Sequence, residues 1–137
     1  MYKCEWHDTP APLFSLLDRL PDNHPIKKVD RASFDILRQV PGQTLYVSAT
    51  TTSIKDSTAQ VLRGLRESGV LDRGTPAAVM TFVAGSNISS AEAKTVYILS
   101  RAAHKGKSRD FFVQGKTPPL PGPRQYYRVS IISVGVE

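Results

Sequence analysis

The chain predicts an α+β fold, and three stretches carry that expectation. Residues 87–106 read as one helix with a start signal, a stop signal and two unlike faces. Residues 43–52 set Leu45, Val47 and Ala49 against Thr44, Tyr46, Ser48 and Thr50, the period-two pattern of a strand. Residues 125–136 hold the strongest strand pattern in the sequence, rich in valine and isoleucine.

At 100° per residue, Ala91, Val96, Ile98, Leu99, Ala102 and Ala103 of the 87–106 helix share roughly 160° of arc. Ser90, Ala93, Lys94, Tyr97, Ser100, Arg101, His104 and Lys105 fill the other side, with no acid among them. Ser89 or Ser90 is a good N-cap, Glu92 lies at capping-box distance from Ser89, and Gly106 is a natural stop. Taken alone, such a basic outer face is equally a solvated surface and a binding surface.

The other elements follow in order. Residues 1–9 are expected to be irregular. Thr9 as N-cap and Pro10 at the first helical position open a helix with Leu13, Phe14, Leu16, Leu17 and Leu20 on its apolar face, and Pro21 ends it. After a loop, Asp30 caps a second helix over 31–40, and Pro41-Gly42 turns the chain into the 43–52 strand. Asp56 or Ser57 caps a helix over 57–68 that Gly69 stops; Thr58, Val61, Leu62 and Leu65 share a face. Gly64 inside it costs about 1 kcal/mol against alanine, which predicts a close packing partner. Val70-Leu71 is a short strand candidate. Thr75-Pro76 favours a helix over 76–84, although Val79, Thr81, Phe82 and Val83 pull toward strand. Residues 85–87 make a turn and 110–114 a strand. Residues 117–123, with four prolines, suit neither a helix nor a central strand. In 125–136, Tyr127, Val129 and Ile131 face one way, while Ile132, Val134 and Val136 imply burial on the other side or a bulge.

Composition bounds the function classes. A length of 137 residues and an apolar fraction of 40% suit one domain with a modest core. No apolar run reaches the length of a membrane span, and the first residues lack the apolar region of a signal peptide, so no membrane partner is expected. A single cysteine excludes an internal disulfide framework and fits a reducing compartment, which predicts a cytoplasmic place, nucleoid-associated or inside a host cell. Cys4, His7, His24 and His104 have no zinc-ligand spacing, so no metal or cofactor is expected. Without GxSxG, P-loop, HExxH or paired carboxylates in an apolar frame, the chain is not expected to be an enzyme.

Charge is uneven. Residues 1–54 balance, so residues 55–137 hold the whole surplus of +6. Within 94–128 stand Lys94, Arg101, Lys105, Lys107, Arg109, Lys116, Arg124 and Arg128 against the single acid Asp110. A one-sided block of this kind suggests a polyanionic partner: double-stranded DNA first, RNA or an acidic protein surface otherwise.

From residue 57 the expected order is helix, short strand, helix, turn, helix, strand, long loop, strand. In that order the stretch 57–136 resembles winged helix-turn-helix DNA-binding domains. The resemblance is topological and covers about 80 of the 137 residues. It implies a winged-helix-like domain over 55–137 with an N-terminal helical and strand extension over 1–54. The extension's Leu13, Leu16, Leu17 and Leu20 are equally suited to pack on the domain or to make a homodimer. An earlier register, with 57–68 as the reading helix, needs a helix just before it, and residues 49–53 are too short and too β-branched for one. The resemblance implies a DNA-binding transcriptional regulator. Ser89, Ser90, Lys94 and Tyr97 would lie nearest the base edges. Arg101, Lys105, Lys107 and Arg109 would meet phosphates, and Lys116 and Arg124 would bracket the wing tip. The rival readings are a small phage- or virus-type adaptor or inhibitor on an acidic protein, and an RNA-binding protein stacking bases on Tyr97, Tyr126 and Tyr127. The 118–121 run could serve as a polyproline ligand but suits a stiff loop better.

Overall fold

The β-branched runs pair into one five-stranded sheet. The computed structural model describes residues 1–20, 31–85, 88–104, 109–115 and 126–137, those of 109–115 by backbone alone. The strands are β1 (Tyr2–His7), β2 (Gln43–Thr51), β3 (Ala78–Ala84), β4 (Arg109–Gly115) and β5 (Tyr127–Val136). They lie in the order β1-β2-β5-β3-β4. All neighbours are antiparallel except β3 and β4, which are parallel. The helices are α1 (Ala11–Asp18), α2 (Arg31–Leu37), α3 (Ile54–Ser68) and α4 (Ser90–Ala103).

Parallel strands cannot be joined by a tight turn, so each such step needs a crossover. Helix α4 is the crossover from β3 to β4. Strands β2 and β3 are parallel to each other across β5, and α3 is their crossover. Helix α3 lies over β1, β2 and β5, and α4 over β3 and β4. The helices α1 and α2 cover the opposite sheet face.

Alternation along each strand therefore feeds two cores. On the α3/α4 side, Leu45, Val47, Ala49, Val61, Leu65, Val79, Val83, Val96, Val129 and Ile131 pack together. On the α1/α2 side, Leu13, Phe14, Leu16, Leu17, Leu20, Phe34 and Leu37 meet Ala78, Met80, Ile132 and Val134. Strand β5 is thus buried on both faces, as its pattern predicts. Gly135, at φ 72°, lets the bulge form that returns Val136 to the α3 side. Leu13, Leu16, Leu17 and Leu20 are consumed in this core, so they are not available as a dimer face.

The α+β class stands, but the winged-helix order does not form. Residues 76–84 give a strand, not the second helix of a helix-turn-helix. The β-branched Val79, Thr81 and Val83 on one face, with Ala78, Met80 and Ala84 buried on the other, outweigh the Thr75-Pro76 start signal. Strands β4 and β5 are separated by β3, so there is no wing hairpin. Residues 2–7 are an edge strand rather than irregular, with Lys3, Glu5 and His7 on one side. Val70–Asp72 is a 3-10 turn, not a strand.

Helix α3 starts earlier than expected. Ser53 is its N-cap, accepting the Asp56 N–H at 3.3 Å, and Gly69 at φ 80° closes it. Ser57 is instead a buried tie, donating to the Tyr127 carbonyl at 2.8 Å and accepting the Thr51 N–H at 3.1 Å. The close partner expected at Gly64 is present: a methyl group there would lie 2.7 Å from Val47 Cγ1 and 2.9 Å from Tyr2 Cδ2.

The Tyr2 hydroxyl donates to Glu67, which also takes Arg63 Nε at 3.0 Å. Donation from Tyr2, then from Arg63, holds the Glu67 carboxyl below its ordinary range. That contribution to stability is present above the unfolded-state pKa of Glu67 and is lost as pH falls through the lowered folded value. Tyr2→Phe is expected to move the Glu67 titration back upward, read by carboxyl carbon NMR; an unmoved titration would refute the assignment.

Candidate functional site

As a crossover, α4 must lie flat on the sheet, and its side chains decide how closely. The face that meets the sheet is Ala93, Val96 and Ser100, with Tyr97, Ala103 and His104 half-buried beside it. Ser100 Oγ and Thr81 Oγ1 are 2.7 Å apart, a buried hydroxyl pair fastening helix to strand. His104 Nδ1 donates to the Ser100 carbonyl at 2.8 Å. Small residues on this face allow close approach. That rotates the expected wheel: Val96 faces inward as expected, but Ile98 and Leu99, expected beside it, face outward.

Ile98 is 53% exposed and Leu99 43%. Ala91, Thr95 and Ala102 are exposed with them. Ala91, Thr95, Ile98 and Ala102 follow a four-three-four spacing and fall within roughly 60° of arc, the seam a helix offers to another helix. The Thr95 hydroxyl donates to the Ala91 carbonyl at 2.9 Å, so it is already satisfied when the seam is covered. Leu99 flanks the seam on one side. Lys94 and Arg101, both exposed, flank it on the other. They are seven residues apart, about 10.5 Å along the axis.

The capping box forms as expected: Ser89 Oγ accepts the Glu92 N–H at 3.1 Å, and Glu92 Oε1 accepts the Ser89 N–H at 3.2 Å. Ser89→Ala should cost about 1 kcal/mol in thermal or denaturant unfolding; no loss would remove the cap from the account of why α4 begins there.

Of the ten residues first singled out, the structure describes the side chains of five, all on or at the start of α4. Ser89 is engaged in the cap, Ser90 is exposed on the first turn, and Tyr97 is half-buried. Lys94 and Arg101 do share one exposed flank. Lys105, Lys107, Lys116 and Arg124 lie outside the described residues, as does the 118–121 run, and for Arg109 only the backbone is described. Arg128 is on the α1 face of the sheet, so the basic block is split between two sides. Tyr126 and Tyr127 are half-buried.

The fold is similar to part of FtsZ. FtsZ of M. jannaschii, solved as an empty dimer, matches 90% of this chain at a TM-score of 0.58 and 13% identity. The W319Y mutant of the same protein matches 88% at 0.52 and 14%. The match spans 42% and 44% of those two chains, so this chain corresponds to less than half of each. No family model and no curated protein matches the sequence. The expectation of a DNA-binding transcriptional regulator rested on a winged-helix order, and the fold is instead that shared with FtsZ. That expectation is withdrawn. Among the described residues no helix is long and apolar enough to cross a membrane.

Proposed function

We propose that the chain is a protein-binding domain, not a catalyst, that presents the outer face of α4 to an amphipathic helix of another protein. The observation that carries this is the exposure of Ile98 on a heptad-spaced seam, with Leu99 exposed beside it. Charge selects the partner. A second copy laid antiparallel on the seam would set Lys94 against Arg101 of its mate, and the chain as a whole is at +6. A partner helix carrying acids seven residues apart along one flank would meet both cations, with apolar residues over Ile98 and Leu99.

The test uses two synthetic amphipathic helical peptides with the same leucine seam, one flanked by glutamates seven apart and one by lysines. The glutamate peptide is expected to bind and the lysine peptide to fail, and Lys94→Glu with Arg101→Glu should invert that preference. Equal binding of both peptides, binding of neither, or a concentration-dependent dimer that Ile98→Asp abolishes would overturn the reading.

A further inference from the structure

The sheet face under α1 and α2 changes character along its strands. The cross-strand rung Tyr46, Ile132 and Met80 packs in the core, with Glu5 at its β1 end. The next rung holds Lys3, Ser48, Ser130 and Phe82, and the one after it Thr50, Arg128 and Ala84. Ser130 is 0% exposed and Ser48 8%, where a sheet packed under helices would ordinarily carry valine. The Ser130 hydroxyl donates to Ser48 Oγ at 3.3 Å, and the Ser48 hydroxyl can still donate in turn.

Above these rungs is a cleft of about 420 Å³ lined by Lys3, Arg19, Tyr46, Ser48, Thr50 and Arg128, with Met1 and Tyr2 at its rim. Three cations reach it from three elements: β1, the end of α1, and β5. No carboxylate is among the described residues that line it. Among those residues neither Arg19 nor Arg128 makes an ion pair, and Lys3, bound to Glu5 at 3.1 Å, keeps further N–H donors. Arg128 Nε is fixed by Thr50 Oγ1 at 3.2 Å, which orients its guanidinium.

We infer that this cleft binds a phosphate monoester of a small molecule. Three converging cations exceed what one carboxylate neutralises and match the charge and three oxygens of a phosphate dianion. The space is larger than a free anion needs and lies in the range of small-ligand sites. The site is on the sheet face opposite α4, so it stands or falls independently of the partner proposed there.

The test is calorimetric titration of the full chain with ribose 5-phosphate, inorganic phosphate and ribose at matched ionic strength. Ribose 5-phosphate is expected to bind, inorganic phosphate more weakly, and ribose not at all. Arg19→Gln and Arg128→Gln should each weaken binding by about tenfold or more. Arg19 is exposed at a helix end, so its variant keeps the fold, which circular dichroism checks; Ser48→Ala is the second probe, expected to weaken binding by a smaller factor. Inorganic phosphate binding as tightly as the ester would confirm the anion site and make the free ion its ligand. No binding of either phosphate at millimolar concentration, or affinities unchanged in both arginine variants, would overturn the inference.

Discussion

Gly64→Ala is expected to lower the melting temperature, although alanine is the better helix former. The helix gains about 1 kcal/mol from the exchange. Against that, the new methyl would stand 2.7 Å from Val47 Cγ1 and 2.9 Å from the Tyr2 ring. Tyr2 is on an edge strand and can shift. Val47, fully buried in β2, cannot without moving the sheet. Overpacking of this sort costs about 1–3 kcal/mol, so the strain outweighs the gain by up to about 2 kcal/mol, or up to about 8 °C in a domain of this size. The decisive measurement is the double-mutant cycle with Val47→Ala. Removing Cγ1 should recover most of the Gly64→Ala loss, giving a coupling energy of about 1–2 kcal/mol. Additive losses would show that the contact does not set the helix-to-sheet distance.

Ile98→Asp should abolish binding of the glutamate-flanked helix while leaving unfolding within about 0.5 kcal/mol of the parent. The second half follows from exposure: Ile98 and Leu99 contribute little to the core, so a polar group there meets water in the free protein. The first follows from what a partner would bury. Central apolar anchors of an interface cost about 2–4 kcal/mol when truncated, and a carboxylate buried without a partner costs more, so affinity should fall about 100-fold or further. Leu99→Asp should act alike. Ala93→Asp makes the contrast, because Ala93 is buried against the sheet, and its variant should unfold the domain rather than spare it. If Ile98→Asp unfolds the chain as Ala93→Asp does, the outer seam is core after all.

Local chemistry made much of the fold legible in the sequence. The Ser89–Glu92 box, Gly69 as a helix stop, the alternation of β2 and the tight fit at Gly64 each depend on residues a few places apart or on one residue's conformational needs. Residues 76–84 were misread because a helix start signal and a strand-forming interior compete within nine residues, and only burial on both faces decides between them. The wheel of α4 was misread for a related reason. Counting large apolar side chains assumes that they face inward, whereas a crossover helix close to a sheet needs alanine and serine at the contact. The cleft could not be read at all. Lys3, Arg19, Ser48 and Arg128 lie far apart in sequence, and only the register of β1, β2 and β5 brings them together. A serine at 130 between Val129 and Ile131 was the one local sign of it.

The sheet is completed by its middle strand, and that strand comes last in the sequence. While the chain is being made, β1 with β2 and β3 with β4 can form only as two separate ribbons, each with one unsatisfied side. Folding of the whole therefore waits for residues 127–136 to leave the ribosome, and until then two sticky edges are open to the wrong neighbour. Truncation before residue 127 should yield aggregates rather than a smaller folded unit.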